Sequence, residues 1–136
     1  MSDLVSKVSP DEMAVGIDIE SCQTLPVSAD PWSDSFYREN FTAAEIAYCV
    51  RQADPRLAFC GLWSAKEAAF KCGGKIAKLA PREIEIVHEP GGQPRLRLPN
   101  ESAQAAFGDY QVSISHSTGM AIAVCVKRSQ TILVPP

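Results

Sequence analysis

A chain of 136 residues with 13 basic and 16 acidic side chains, 46% of it hydrophobic, is one domain with room for a real core. Its formal charge of -3 is spread over intermixed acids and bases, with no basic block to track a phosphate backbone, which argues against nucleic acid as a partner. No apolar run is long enough to cross a bilayer and MSDLVSKVSP lacks the features of a secretory signal, so no membrane partner and a cytoplasmic location are expected.

Residues 1–12 are expected to be loose, and order to begin with MAVGIDIE, read as a buried strand. The period of two puts Val15, Ile17 and Ile19 on one side and Ala14, Gly16, Asp18 and Glu20 on the other. Two acids on one strand face repel unless a positive group lies between them, which a divalent cation would supply; a strand ending at Ile17, with both acids solvated, is the alternative. Small, polar and proline residues from Ser21 to Pro31 mark a connection, and Ser33 to Glu39 reads as a short helix. Thr42 and Glu45 form a capping box, opening a helix expected to run to about Gln52.

Asp54-Pro55 then starts the central helix, which runs from near Arg56 to the stop at Cys72-Gly73-Gly74. It is largely apolar, yet carries Lys66, Glu67 and Lys71, the last two sharing a face at i, i+4. Beyond it, Glu83 to His88 and Gln93 to Leu98 alternate around Pro90-Gly91-Gly92 as a hairpin, with His88 read as a surface residue. Glu101 to Phe107 reads as a short helix. YQVSISH and MAIAVCV are two strands joined at Ser117-Thr118-Gly119, the second apolar enough to be central. The tail, residues 128–136, is expected to be flexible. Cys22, Cys49, Cys60, Cys72 and Cys125 are scattered, with no CxxC pair, and read as buried thiols. The fold class is α+β: an antiparallel sheet with the long central helix packed on it.

Asp18, Glu20 and Glu67 would make an all-oxygen ligand set suited to Mg2+, with Mn2+ possible. Magnesium favours a few carboxylates, water and substrate phosphate, so the set points to a phosphate-bearing ligand, to which Lys66, Lys71 and His116 could supply charge or donors. Each element has a plainer reading: Glu67 with Lys71 as a solvated ion pair, His116 as a hydrogen-bonded structural histidine. Spacing alone leaves a metal-assisted phosphoryl enzyme and a small binding module both open.

Four motifs in order carry a resemblance: VGIDIE at 15–20, FTAAEIAYC at 41–49, WSAKEAAFK at 63–71 and VSISHS at 112–117. With them the sequence resembles the 4'-phosphopantetheinyl transferases, in length most like the single-domain holo-acyl-carrier-protein synthases. The resemblance implies that fold in a single copy over residues 1–136. It also implies magnesium-dependent transfer of the 4'-phosphopantetheine arm of coenzyme A to a serine of an apo acyl carrier protein, releasing 3',5'-ADP. By position it makes Asp18 and Glu67 magnesium ligands and Glu20 a third carboxylate. Lys71 becomes a phosphate contact and proton donor, and Ser115 and His116 contacts to the CoA diphosphate. The family's site lies between two copies of the fold, so a homo-oligomer, a trimer, is expected. Leu62 stands where the short branch typically carries arginine, while Trp63 and Glu20 are more like the longer branch. A non-catalytic relative that binds CoA or carrier protein is the alternative, and an unrelated magnesium-dependent phosphohydrolase a third reading.

Overall fold

The computed structural model describes residues 13–99 and 110–128. Strand β1 (Met13–Ser21) opens the domain, followed by a 3-10 turn at Cys22–Thr24 and three helices: α1 (Ser35–Asn40), α2 (Ala43–Val50) and α3 (Pro55–Lys71). Two further 3-10 turns, Ile76–Lys78 and Pro81–Glu83, lead into β2 (Glu85–His88), β3 (Pro94–Arg97), β4 (Tyr110–Ser117) and β5 (Met120–Arg128). The strands form an antiparallel three-stranded sheet in the order β1-β5-β4 and a separate β2-β3 hairpin, with α3 lying across the larger sheet. This is the expected α+β arrangement, with the apolar β5 central.

The helix boundaries follow their local chemistry. Thr42 and Glu45 close the capping box on α2, each accepting from the other's backbone N–H. Asp54 caps α3, accepting from Leu57 N at 3.1 Å, and Pro55 occupies the first turn, where its missing N–H costs nothing. Gly73 and Gly74 end the helix at φ 76° and 70°, the left-handed region open to glycine. Tyr37, Phe41 and Phe59 form an aromatic cluster beneath α1 and α3, with Tyr37 edge-on to Phe59 at 4.6 Å. All five cysteines are buried and free, as their apolar settings predict.

Two expectations change. β1 is a strand with alternating faces, but its apolar side is the open one: Val15, Ile17 and Ile19 are 58, 58 and 62% exposed, while Gly16 and Asp18 are buried against α3. β5 extends through Arg128, the first residue of the expected flexible tail. The short helix read at Glu101 to Phe107 and the loose residues 1–12 lie outside the described residues. Among the described residues no helix is long and apolar enough to cross a membrane.

Candidate active site

Glycine at two positions decides how α3 crosses the sheet. A Cβ on Gly16 would lie 1.9 Å from the carbonyl oxygen of Ala68, and one on Gly61 would lie 2.5 Å from His116 Nε2. Helix and strands therefore approach more closely than side chains permit. α3 meets β4 near Gly61 and β1 near Ala68, so its C-terminal half runs over the face of β1 that carries the acids. Buried Ser64 strengthens this docking by donating to the Asp18 carbonyl at 2.9 Å.

The crossing brings Asp18, Glu20, Glu67 and Lys71 together. Lys71 Nζ donates to Asp18 Oδ1 at 3.2 Å and to the Ile17 carbonyl at 3.1 Å. Asp18 is 8% exposed, and its second oxygen, Oδ2, is buried without a hydrogen-bond donor. Burial, then a hydrogen bond from protonated Glu20 to the Asp18 carboxylate together with that carboxylate's charge, and then the charge of Glu67 push Glu20 up to about 7, with Lys71 opposing. Burial, and next the charge of Asp18, raises Glu67 as well, again against Lys71. Three carboxylates crowd around one ammonium, and with Glu20 ionised the buried Asp18 Oδ2 has no donor.

This is an environment short of positive charge and rich in hard oxygen donors, which fits a divalent cation such as magnesium. Among the described residues no three acidic, histidine or cysteine side chains close into a ready-made cage. Magnesium seldom needs one, since water and substrate oxygens complete its shell.

Lys66, expected beside a phosphate ligand, does not reach this cluster. It lies about 100° around the helix from Glu67. Its ammonium is buried on another face, bonded to Glu45 Oε1 at 2.9 Å, Pro81 O at 2.8 Å and Ile84 O at 2.7 Å. All three of its protons are used, so it cannot contact a ligand at Asp18. The sequence shows the charge but not its acceptor, which lies 21 residues away.

His116 and Ser115 also stand apart from the carboxylates within this chain. Glu20 pairs with Ala121, and Ala121 with His116, so the histidine lies two strands away across the sheet, about 10 Å at ordinary strand spacing. It borders a groove of about 410 Å³ on the far side of α3, with Leu57, Leu62 and Pro94 in the walls. There Tyr48 and His88 stack nearly parallel with ring centroids 3.9 Å apart. His88 is thus a half-buried wall residue rather than a surface one, and burial lowers its pKa. Ser115, the neighbour of His116 on β4, alternates to the open sheet face beside Ile122. The β2 alternation hinted at His88's inward side, but nothing local paired it with Tyr48.

A family model described as the 4'-phosphopantetheinyl transferase superfamily matches residues 14–125. The alpha subunit of fatty acid synthase from Lachancea kluyveri is 37% identical over 134 residues, covering 93% of this chain but 7% of the relative. The chain therefore spans only a small part of the length of such relatives. An ACPS–CoA complex from Chronobacterium ammoniagenes superposes with a TM-score of 0.65 at 26% identity, covering 89% of this chain and all of the other. The holo-[acyl-carrier-protein] synthase of Helicobacter pylori, in complex with coenzyme A, gives a TM-score of 0.63 at 28% identity, covering 82% of this chain and 96% of the other.

Proposed function

The chain belongs to the 4'-phosphopantetheinyl transferase superfamily, and from that premise we propose that it transfers the 4'-phosphopantetheine arm of coenzyme A to a serine of an apo acyl carrier protein, with magnesium, releasing 3',5'-ADP. The observation that carries the reading is the cluster along the second half of β1: Asp18 Oδ2 without a fixed donor, beside Glu20, Glu67 and Lys71. Its chemistry asks for a cation and then for the phosphates that accompany it. Solved relatives in complex with CoA, at 26 and 28% identity, support CoA as the phosphate source.

Asp18 and Glu67 would hold magnesium, with Glu20 as a third carboxylate; manganese suits the same oxygen donors. Bound there, the metal would supply positive charge to offset that of the diphosphate. Lys71, about half exposed, is free to leave Asp18 and donate to a phosphate oxygen, and it can deliver a proton to departing 3',5'-ADP. The carrier serine oxygen attacks the phosphorus that bears the pantetheine arm, the bond from that phosphorus to the ADP oxygen breaks, and the serine proton passes to Glu67 or to water beside it.

The groove flanked by the Tyr48–His88 stack and His116 falls in the size range of small-molecule sites and suits the nucleotide end of CoA. Because His116 lies at the opposite sheet edge from Asp18, one chain's carboxylates and another chain's Ser115-His116 would complete each site in a homo-oligomer, a trimer in this reading. The open apolar face of the sheet supports such an assembly: Val15 pairs with Val126, Ile17 with Val124 and Ile19 with Ile122, an unbroken apolar strip that is exposed to water along β1 and half-buried at Val124 and Val126.

The test is incubation with CoA, Mg2+ and an apo acyl carrier protein, followed by intact mass of the carrier. Addition of the arm to one serine, dependent on metal, is the expected result. CoA binding without transfer to any carrier would instead indicate a non-catalytic relative, and phosphate release without carrier a hydrolase.

A further inference from the structure

Lys66 raises a question that its adhesive value does not answer. A buried ion pair is often no more stabilising than well-packed apolar side chains of the same volume, because both charges must leave water. Lys66 is nevertheless 1% exposed, and its ammonium is saturated by one carboxylate oxygen and two carbonyls. Its partner Glu45 is equally saturated: Oε1 also accepts from Thr42 N at 2.8 Å, and Oε2 accepts from Ile86 N at 2.8 Å. This one pair thus ties the start of α2, the middle of α3, the Pro81–Glu83 turn and strand β2 to a common point.

Two of those ties matter for the neighbouring residue. Pro81 and Ile84, whose carbonyls Lys66 holds, line a cavity of about 240 Å³ together with Lys66 itself, Glu67, Phe70 and Leu79. The turn's other bonds are local or come from long side chains, such as Ile84 N to Pro81 O at 3.1 Å and Arg82 Nε to Phe41 O at 3.3 Å. An apolar side chain at position 66 could fill the space but could not hold two carbonyl oxygens at a fixed distance from α3.

We infer that Lys66 is a positioning residue for transfer: by holding the carbonyls of Pro81 and Ile84 it fixes the cavity lining beside Glu67 and so the placement of Glu67 against the reacting group. This rests on the transfer reaction proposed above, and the experiment separates the two. Wild-type protein is assayed first with CoA, Mg2+ and apo carrier; absence of transfer there overturns the parent reading itself.

With an active wild type, Lys66→Met, the paired change Lys66→Met with Glu45→Leu, and Glu45→Gln are compared. Each is assayed below its own melting temperature, with the folded fraction measured by circular dichroism. The paired variant removes both charges together, so it is expected to fold, to keep its KM for CoA within about twofold and to lose kcat by about 10- to 100-fold, the range that a misplacement of about 1 Å can cause. Glu45→Gln can keep its amide oxygen on Lys66 and Thr42 N while losing the bond from Ile86 N. The lysine, charged or as a neutral amine with two N–H groups, can still hold both carbonyls, so this variant is expected to retain about tenfold more kcat than Lys66→Met.

A folded paired variant with wild-type kcat would refute the assignment. So would a kcat loss that merely tracks the unfolded fraction, or Glu45→Gln losing as much as Lys66→Met while folded. If the paired variant does not fold, the comparison of Glu45→Gln with Lys66→Met, each corrected for its folded fraction, decides the question.

Discussion

Lys71 Nζ lies 3.2 Å from Asp18 Oδ1, joining the last turn of α3 to the middle of β1 across 53 residues of sequence. The pair is lopsided: the lysine side chain is 52% exposed and the aspartate 9%. An ion pair with one solvated member contributes at most about 1 kcal/mol to stability. Lys71→Ala should therefore lower the melting temperature by only a few degrees, about the shift expected for 1 kcal/mol in a domain of this size. The same change should reduce kcat for carrier modification by about 10- to 100-fold through loss of a charge-assisted phosphate contact. Asp18→Ala and Glu67→Ala should cost at least about 100-fold, since each would remove a ligand from the magnesium proposed above. Thermal melts and carrier mass spectrometry on the same preparations check both parts, and a Lys71→Ala protein that melts far lower yet transfers normally would reverse the assignment.

Glu20 gives the metal-free protein a pH-dependent stability of defined sign. Its carboxyl is raised from 4.5 to about 7 in the fold, so folded protein holds that proton more tightly than unfolded protein does. The associated stabilisation is fully present below about pH 4.5 and lost as the pH rises through about 7. In EDTA, Glu20→Gln should melt higher than wild type at pH 8 and close to it at pH 4.5. Magnesium should raise the wild-type melting temperature more at pH 8 than at pH 5.5, because ionised carboxylates bind it better. Parallel melting curves in EDTA and Mg2+ measure this; an equal magnesium effect at both pH values would count against a carboxylate site here.

Gly16 and Gly61 should respond differently to the same methyl group. At position 16 the added carbon meets the Ala68 carbonyl, which is backbone and cannot move aside, so Gly16→Ala should cost about 3 kcal/mol or more by forcing α3 off β1. At position 61 it meets the tip of the exposed His116, and alanine gains about 1 kcal/mol of helix propensity over glycine. Gly61→Ala should thus melt within a few degrees of wild type while raising the KM for CoA, because His116 is displaced. Denaturant titration and steady-state kinetics on the two variants distinguish these outcomes.

The open face of the sheet should govern assembly. Ile17 and Ile122 sit in neighbouring rows of its apolar strip, and Ile17→Asp with Ile122→Asp should turn an oligomer into a folded monomer that has lost carrier modification. Sedimentation equilibrium gives the mass directly. A second measurement addresses the shared site: Asp18→Ala and His116→Ala proteins, each inactive alone, should regain activity when unfolded together and refolded as mixed oligomers. A wild-type monomer that transfers the arm at micromolar concentration, or mixtures that stay inactive, would rule out a site built from two chains.

Much of this was legible in local chemistry. The capping box at Thr42 and Glu45, proline in the first turn of α3 and the glycines after Lys71 marked helix boundaries, because caps and φ preferences act over three or four residues. The alternation in MAVGIDIE put Asp18 and Glu20 on one face, and helical spacing put Glu67 beside Lys71. Which of those faces would be covered was not local information. β1 buries its acidic side because Gly16 lets α3 come down on it, leaving three isoleucine and valine side chains in the open. Lys66 and Glu67 are adjacent charges on one helix, and no propensity says which of them is buried as a clamp and which faces Asp18. The tertiary structure decided between them by supplying Glu45, Pro81 and Ile84 at one azimuth and Asp18 at the other, since a buried charge is tolerated only where distant acceptors meet it.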